Sequence, residues 1–191
     1  MQTLFASRTT DFFQGMPFLR KIEDDDAIFY DAVDTKTPVD QVAIEQLTHF
    51  HEQYLRDNMS ILDLMSGPDS YLPENLKSLE VTGLGLKEQD LPANAPLNHS
   101  VIHDLNQNPE LPFQDQLFDV VTCAFSVEYM TQPIAVFQQV SRILKPGGVF
   151  LVSFSDSRIN LNLFILNPFG DWFAIMMIHL LLPMHFPARC L

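Results

Sequence analysis

The sequence predicts an α/β fold built on a doubly wound, mostly parallel sheet. Three observations carry that prediction. Five short apolar runs of strand length recur between residues 60 and 154. They are continuously apolar instead of alternating, as expected for strands covered on both faces. The segments between them are polar loops or helix-period stretches, the pattern of parallel strands joined by crossovers.

The elements follow in order. Thr37 is placed to cap a helix, with Pro38 at its first position and Asp40 near its positive end. Val39, Val42, Ala43, Leu47, Phe50 and Tyr54 then recur at steps of three and four and form one apolar face. Ser60–Met65 reads as the first strand, ending at the turn residues Ser66-Gly67-Pro68-Asp69. Glu80–Leu84, Ser100–His103 and Phe118–Ala124 read as the second, third and fourth. Pro133 opens a helix with the stripe Ile134, Phe137, Val140, Ile143 and Leu144. Lys145-Pro146-Gly147-Gly148 stops that helix, and Val149–Phe154 forms a fifth strand. In such a sheet, ligands bind at the carboxyl ends of the strands.

The 191 residues suit one domain with extensions, divided here as an acidic arm over 1–36, a core over 37–155 and an apolar segment over 156–191. There are 24 acidic and 11 basic side chains, a formal charge of −13. So negative a surface repels a phosphate backbone, and no nucleic-acid partner is expected. The run Glu23-Asp24-Asp25-Asp26 lacks the alternating ligand spacing of a calcium loop and reads as a solvated arm. Cys123 and Cys190 are too few for a disulfide framework or a four-ligand zinc site, and no metal is expected. His49 and His51 do not share a helix face. Trp172–Leu182 is apolar apart from His179, but its 11 residues fall short of the roughly 20 of a membrane span. The first residues carry neither a basic flank nor a long apolar run, so a cytoplasmic location is expected.

Ile61-Leu62-Asp63-Leu64-Met65-Ser66-Gly67 resembles the first motif of class I S-adenosylmethionine-dependent methyltransferases, enzymes with a Rossmann-like fold. Leu111-Pro112-Phe113 through Phe118-Asp119-Val120-Val121 resembles the entry to their fourth strand. Arg142-Ile143-Leu144-Lys145-Pro146-Gly147-Gly148-Val149-Phe150 resembles the turn before their fifth. The order and spacing are similar to the type 11 branch over Ser60 to Ser155. The resemblance implies S-adenosyl-L-methionine as cofactor and methyl transfer to a small-molecule acceptor.

It also implies a set of site residues. Gly67, with Ser66, would bring backbone N–H groups to the cofactor carboxylate. Asp63 would hold its amino end, directly or through water, or else cap the turn. Gly85, just after the second strand, is a further cofactor-binding candidate. Asp104 would accept a bond from the adenine amino group, or cap an Asx turn into Leu105-Asn106. Leu105 and Phe125 would line an apolar slot for the ring, or simply be core. Glu128 and Tyr129, in the loop after the fourth strand, are the candidates for acceptor contact or general base, against a capping or surface role. His103 reads as a packed core histidine and Cys123 as core.

Two departures stand out. The three alternating glycine positions of the family loop hold Met65, Gly67 and Asp69, and Pro68 removes a donor. No carboxylate ends the second strand to grip a ribose diol; Glu88 is the nearest. Loss of two charge-assisted bonds is worth ~3 kcal/mol, about a hundredfold in affinity. The C-terminal segment does not resemble the family's final antiparallel hairpin, so strand five is expected to have an open edge, and a route to oligomers, unless the apolar tail covers it. Methyl transfer is therefore weighed against a catalytically inactive binding or regulatory protein of the same fold. A nicotinamide-dependent oxidoreductase is disfavoured, because Gly-x-Gly-x-x-Gly is absent after the first strand.

Overall fold

The computed structural model describes residues 41–156 and the backbone of 160–166. The expectations for the acidic arm, the Thr37 cap, Cys190 and the 172–182 run lie outside the described residues. Helix α1 (Gln41–Tyr54) precedes strands β1 (Ser60–Leu64), β2 (Glu80–Gly85), β3 (His99–Ile102) and β4 (Phe118–Ala124). Helix α2 (Pro133–Ile143), β5 (Leu144–Asp156) and β6 (Asn160–Leu166) follow. The sheet order is β3-β2-β1-β4-β5-β6. β1 to β5 pair in parallel, and β6 runs antiparallel to β5. The open edge expected at β5 is therefore closed by Asn160–Leu166, and among the described residues the outermost strands are β3 and β6.

Residues alternate between two apolar cores. Leu62, Leu64, Val121, Cys123, Phe150 and Val152 pack with α2 residues Val136, Phe137, Val140 and Ile143 on one face. Ile61, Val81, Val120 and Leu151 pack with α1 residues Leu47 and Phe50 on the other. Both faces of the central strands are thus dry, the physical reason for their continuous apolarity. Two stripe residues were misjudged: Val42 and Ile134 are exposed, whereas His51 is buried on α1. Burial lowers the His51 pKa to about 4, with a bond from its Nδ1 to the Tyr71 carbonyl (3.0 Å) opposing the shift. β3 is mostly exposed, as an edge strand is.

At the amino ends of β1, β4 and β5 the strands are stapled by side chains. Asp119 Oδ2 accepts from Ser60 N (2.9 Å), Ser60 Oγ (2.7 Å) and Lys145 Nζ (2.8 Å). Partial desolvation opposes ionisation of Asp119, but the Lys145 and Ser60 bonds together hold its pKa below the usual value. β5 begins at Leu144, earlier than the sequence suggests. Its partners jump from Phe118↔Leu144 to Val120↔Val149, so Lys145–Gly148 forms a bulge, with Gly147 at φ +83°.

The strand order reverses between β1 and β4, which makes their carboxyl ends the topological switch point of the sheet.

Candidate functional site

The loop leaving β1 turns at Met65, whose φ of 58° is left-handed for a residue that prefers not to be. Ser66 N–H then bonds the Leu84 carbonyl (2.8 Å). The loop lies so close to the end of β2 that a Cβ on Gly85 would collide with the Ser66 carbonyl. Glycine at 85 is thus set by the passage of one backbone over another.

Asp63 is buried beneath this loop. Its Oδ2 accepts from Ser66 Oγ (2.6 Å) and Ser70 Oγ (2.7 Å), and its Oδ1 from Thr122 Oγ1 (3.1 Å). Desolvation raises its pKa, and the three hydroxyls pull it back part of the way. Asn94, also buried, completes the cluster from the connection between β2 and β3. Its Nδ2 donates to the Gly67 carbonyl (2.9 Å), Ser70 Oγ (2.8 Å) and Ser66 Oγ (3.2 Å). Ser70 Oγ also lies 3.0 Å from Asn94 Oδ1. The carboxylate of Asp63 thus serves the inside of the loop.

The outside of the loop differs. A Cβ on Gly67 would meet nothing within 4 Å. Among the described residues, the backbone N–H groups of Gly67 and of exposed Asp69 have no acceptor, whereas Ser70 is buried with the inner cluster. Asp69 Oδ1 turns back to accept from Tyr71 N (2.8 Å). The loop therefore offers a small, open, donor-bearing surface suited to an anionic group.

The loop leaving β4 lies alongside. Phe125 is left-handed too (φ 50°), and its N–H bonds the Ser153 carbonyl (2.9 Å). Its ring meets Tyr71 edge to face, 5.5 Å between centroids. Glu128 sits in the short 3₁₀ turn Val127–Tyr129, with Oε2 buried and, among the described residues, without a hydrogen-bond partner. Desolvation raises its pKa to about 7, against a bond from its own backbone N–H. Buried Cys123 has its thiol pushed well above the usual value by desolvation first, then by Glu128 and Asp63. It is inert core, as expected.

The turn after β3 is closed by Asp104, whose Oδ1 accepts from Asn106 N (2.8 Å) and Gln107 N (3.2 Å). This is the Asx turn that the sequence left open as one of two roles. His103 is a partly exposed turn residue, with Nε2 2.8 Å from the Asn108 carbonyl, and not the packed core residue expected. Tyr129 lies beside this turn, its carbonyl accepting from Asn106 Nδ2 (3.1 Å). Asn106 Oδ1 also accepts from Thr131 N (2.8 Å), so one amide ties the β3 and β4 loops together.

The structure thus gathers Asp63, Ser66, Gly67 and Gly85 around one loop, and sets Phe125, Glu128 and Tyr129 on the neighbouring one. Leu105 and Phe125 are both buried and belong to different apolar clusters. Sequence reasoning missed Ser70, Asn94, Asn106 and Thr122. Their partners lie 24 to 59 residues away in several cases, so no local spacing betrays them.

Comparison with known proteins agrees with this architecture. Residues 62–152 match a family model described as a methyltransferase domain. Demethylmenaquinone methyltransferase of Staphylococcus aureus is 26% identical over 129 residues, 63% of this chain and 53% of that protein. Rat mitochondrial 2-methoxy-6-polyprenyl-1,4-benzoquinol methylase is 47% identical over 47 residues, 25% of this chain and 14% of that protein. The chain therefore spans about half, or much less, of these curated relatives. The solved PH0226 protein of Pyrococcus horikoshii superimposes with a TM-score of 0.52 at 26% identity, covering 69% of this chain and 67% of that one. With the parallel sheet and the motif order, these matches support a class I methyltransferase domain over residues 62–152.

Proposed function

We propose that this domain binds S-adenosyl-L-methionine over the carboxyl ends of β1 to β4 and transfers its methyl group to a small-molecule acceptor. The observation that carries the reading is the outer face of the β1 loop, with Gly67 open and the backbone donors of Gly67 and Asp69 uncommitted among the described residues. That face fits the carboxylate of an amino-acid moiety. The cofactor, when bound, supplies an electrophilic methyl group on a good leaving group, so the protein's task is alignment and exclusion of water.

The Gly67 and Asp69 N–H groups would hold the carboxylate. Asp104 keeps its turn shaped through Oδ1 and would present its other oxygen to the adenine amino group. Phe125 supplies an apolar wall beside the loop, and Leu105 supports the β3 turn from the core. Glu128 is the candidate base: a carboxyl titrating near 7 takes a proton from a hydroxyl-bearing acceptor at neutral pH. Tyr129 would contact the acceptor. A quinol-like ring is the acceptor class that the relatives' names favour.

One observation favours a second reading, an inactive binding protein. After Gly85, the chain continues with Leu86 and Lys87, and no carboxylate ends β2. Calorimetric titration with S-adenosylhomocysteine separates the two. Micromolar affinity, lost in Asp104→Ala, is expected; silence at millimolar ligand sinks the enzyme reading. Once an acceptor is found, turnover should rise with pH through about 7, and Glu128→Gln should lose that limb.

A further inference from the structure

We infer that Asn94 is a positioning residue for the cofactor loop, holding it in its receptive shape in place of the two glycines the loop lacks. The inference rests on the cofactor reading above. It starts from a local conflict. A loop that turns sharply after β1 is cheapest with glycine at the left-handed position, yet Met65 occupies it at φ 58°, and Pro68 stiffens the next turn. Strained backbone of this kind persists only where its surroundings over-determine it.

The surroundings here are a buried polar cluster. Asn94 donates to the Gly67 carbonyl (2.9 Å) at the middle of the loop and to Ser70 Oγ (2.8 Å) at its far end. Ser66 and Ser70 in turn donate to Asp63 Oδ2 at 2.6 and 2.7 Å. With its carbonyl bonded by buried Asn94, Gly67 keeps that oxygen off the outer face of the loop, where it would repel an incoming carboxylate. The N–H groups of Gly67 and Asp69 stay without acceptors among the described residues. Asn94 touches no part of the outer face itself: it acts through the loop.

This arrangement makes a specific demand on ligands. Loss of the clamp weakens ligands that carry the amino-acid carboxylate and spares those that lack it. The test titrates wild type and Asn94→Ala with two probes, S-adenosylhomocysteine and 5′-methylthioadenosine, which keeps the nucleoside but has no carboxylate. Expected is a loss of about tenfold for the first and less than twofold for the second. Ser70→Ala, which removes one arm of the clamp, should show the same selectivity at smaller size and serves if Asn94→Ala does not fold. Equal weakening of both probes, or no change in either, overturns the inference while leaving the cofactor reading intact. Wild-type protein that binds neither probe overturns the cofactor reading, and this inference with it.

Discussion

The two ends of the sheet use the same unusual backbone conformation with different residues. At the amino ends, the left-handed positions before β1, β2 and β4 are Asn58, Ser78 and Gln116, all polar and exposed. At the carboxyl ends they are Met65, Tyr71 and Phe125, large side chains set against the cores. A polar turn residue adopts this conformation at little cost, whereas a bulky one is forced into it by its surroundings. The charges divide in the same way. Asp119 and Lys145 pair at a half-exposed staple, whereas Asp63 and Glu128 are desolvated and raised in pKa. One end of the sheet is ordinary turn chemistry; the other holds strain and unmet polar capacity, as ligand sites do.

The contrast can be broken most severely at Gly85. Gly85→Ala drives a Cβ into the Ser66 carbonyl and should cost about 3 kcal/mol in urea unfolding. Gly67→Ala, in open space, should change stability by less than ~0.5 kcal/mol. Equal costs at the two glycines would mean that the loop does not press on β2.

The titrating groups sharpen it next. The Glu128 pKa is raised from 4.5 to about 7 in the fold, so the folded state holds its proton longer and stability falls as pH rises across that window. Glu128→Gln should therefore exceed wild type by ~1–2 kcal/mol above pH 7, with the gap closing towards pH 4.5; partial exposure of the residue keeps the figure below the full shift. His51 works the other way. Its pKa is lowered from 6.5 to about 4, so it withdraws stability as pH falls through that range, and His51→Gln should flatten this acid limb. Denaturant midpoints measured from pH 4 to 8 report both.

A smaller effect is expected at Met65. Relief of left-handed strain, ~1 kcal/mol, should make Met65→Gly more stable than Met65→Ala, the reverse of the usual order. Alanine proving better would show that the position is not strained. The smallest belongs to the amino end, where Lys145→Met should cost ~0.5 kcal/mol and vanish in high salt.

Much of the fold was legible because strands dry on both faces write themselves as unbroken apolar runs. β4 falls at the predicted residues, and β1 and β2 differ from expectation by a single terminal residue. Val42 and Ile134 misled because helical periodicity marks a stripe without saying how wide the partner surface is. The β5 bulge was hidden since Lys145–Gly148 reads equally as a helix stop. In the site, the motif pointed to Gly67 and Asp63, and Asp63 takes the turn-holding role the sequence left open beside cofactor contact; the partners it holds were not legible. That role depends on Ser70, Asn94 and Thr122, which the chain brings to it from three separate connections or strands. Long-range hydrogen bonding leaves no periodic trace for a reader of the chain to follow.

The edge-to-face contact of Tyr71 and Phe125 joins the far end of the β1 loop to the first residue of the β4 loop. Neither ring can swing away without leaving a hole beside its neighbour. The loop proposed to seat a methyl donor and the loop proposed to face its recipient therefore share one ring contact, so trimming either ring is expected to register on both.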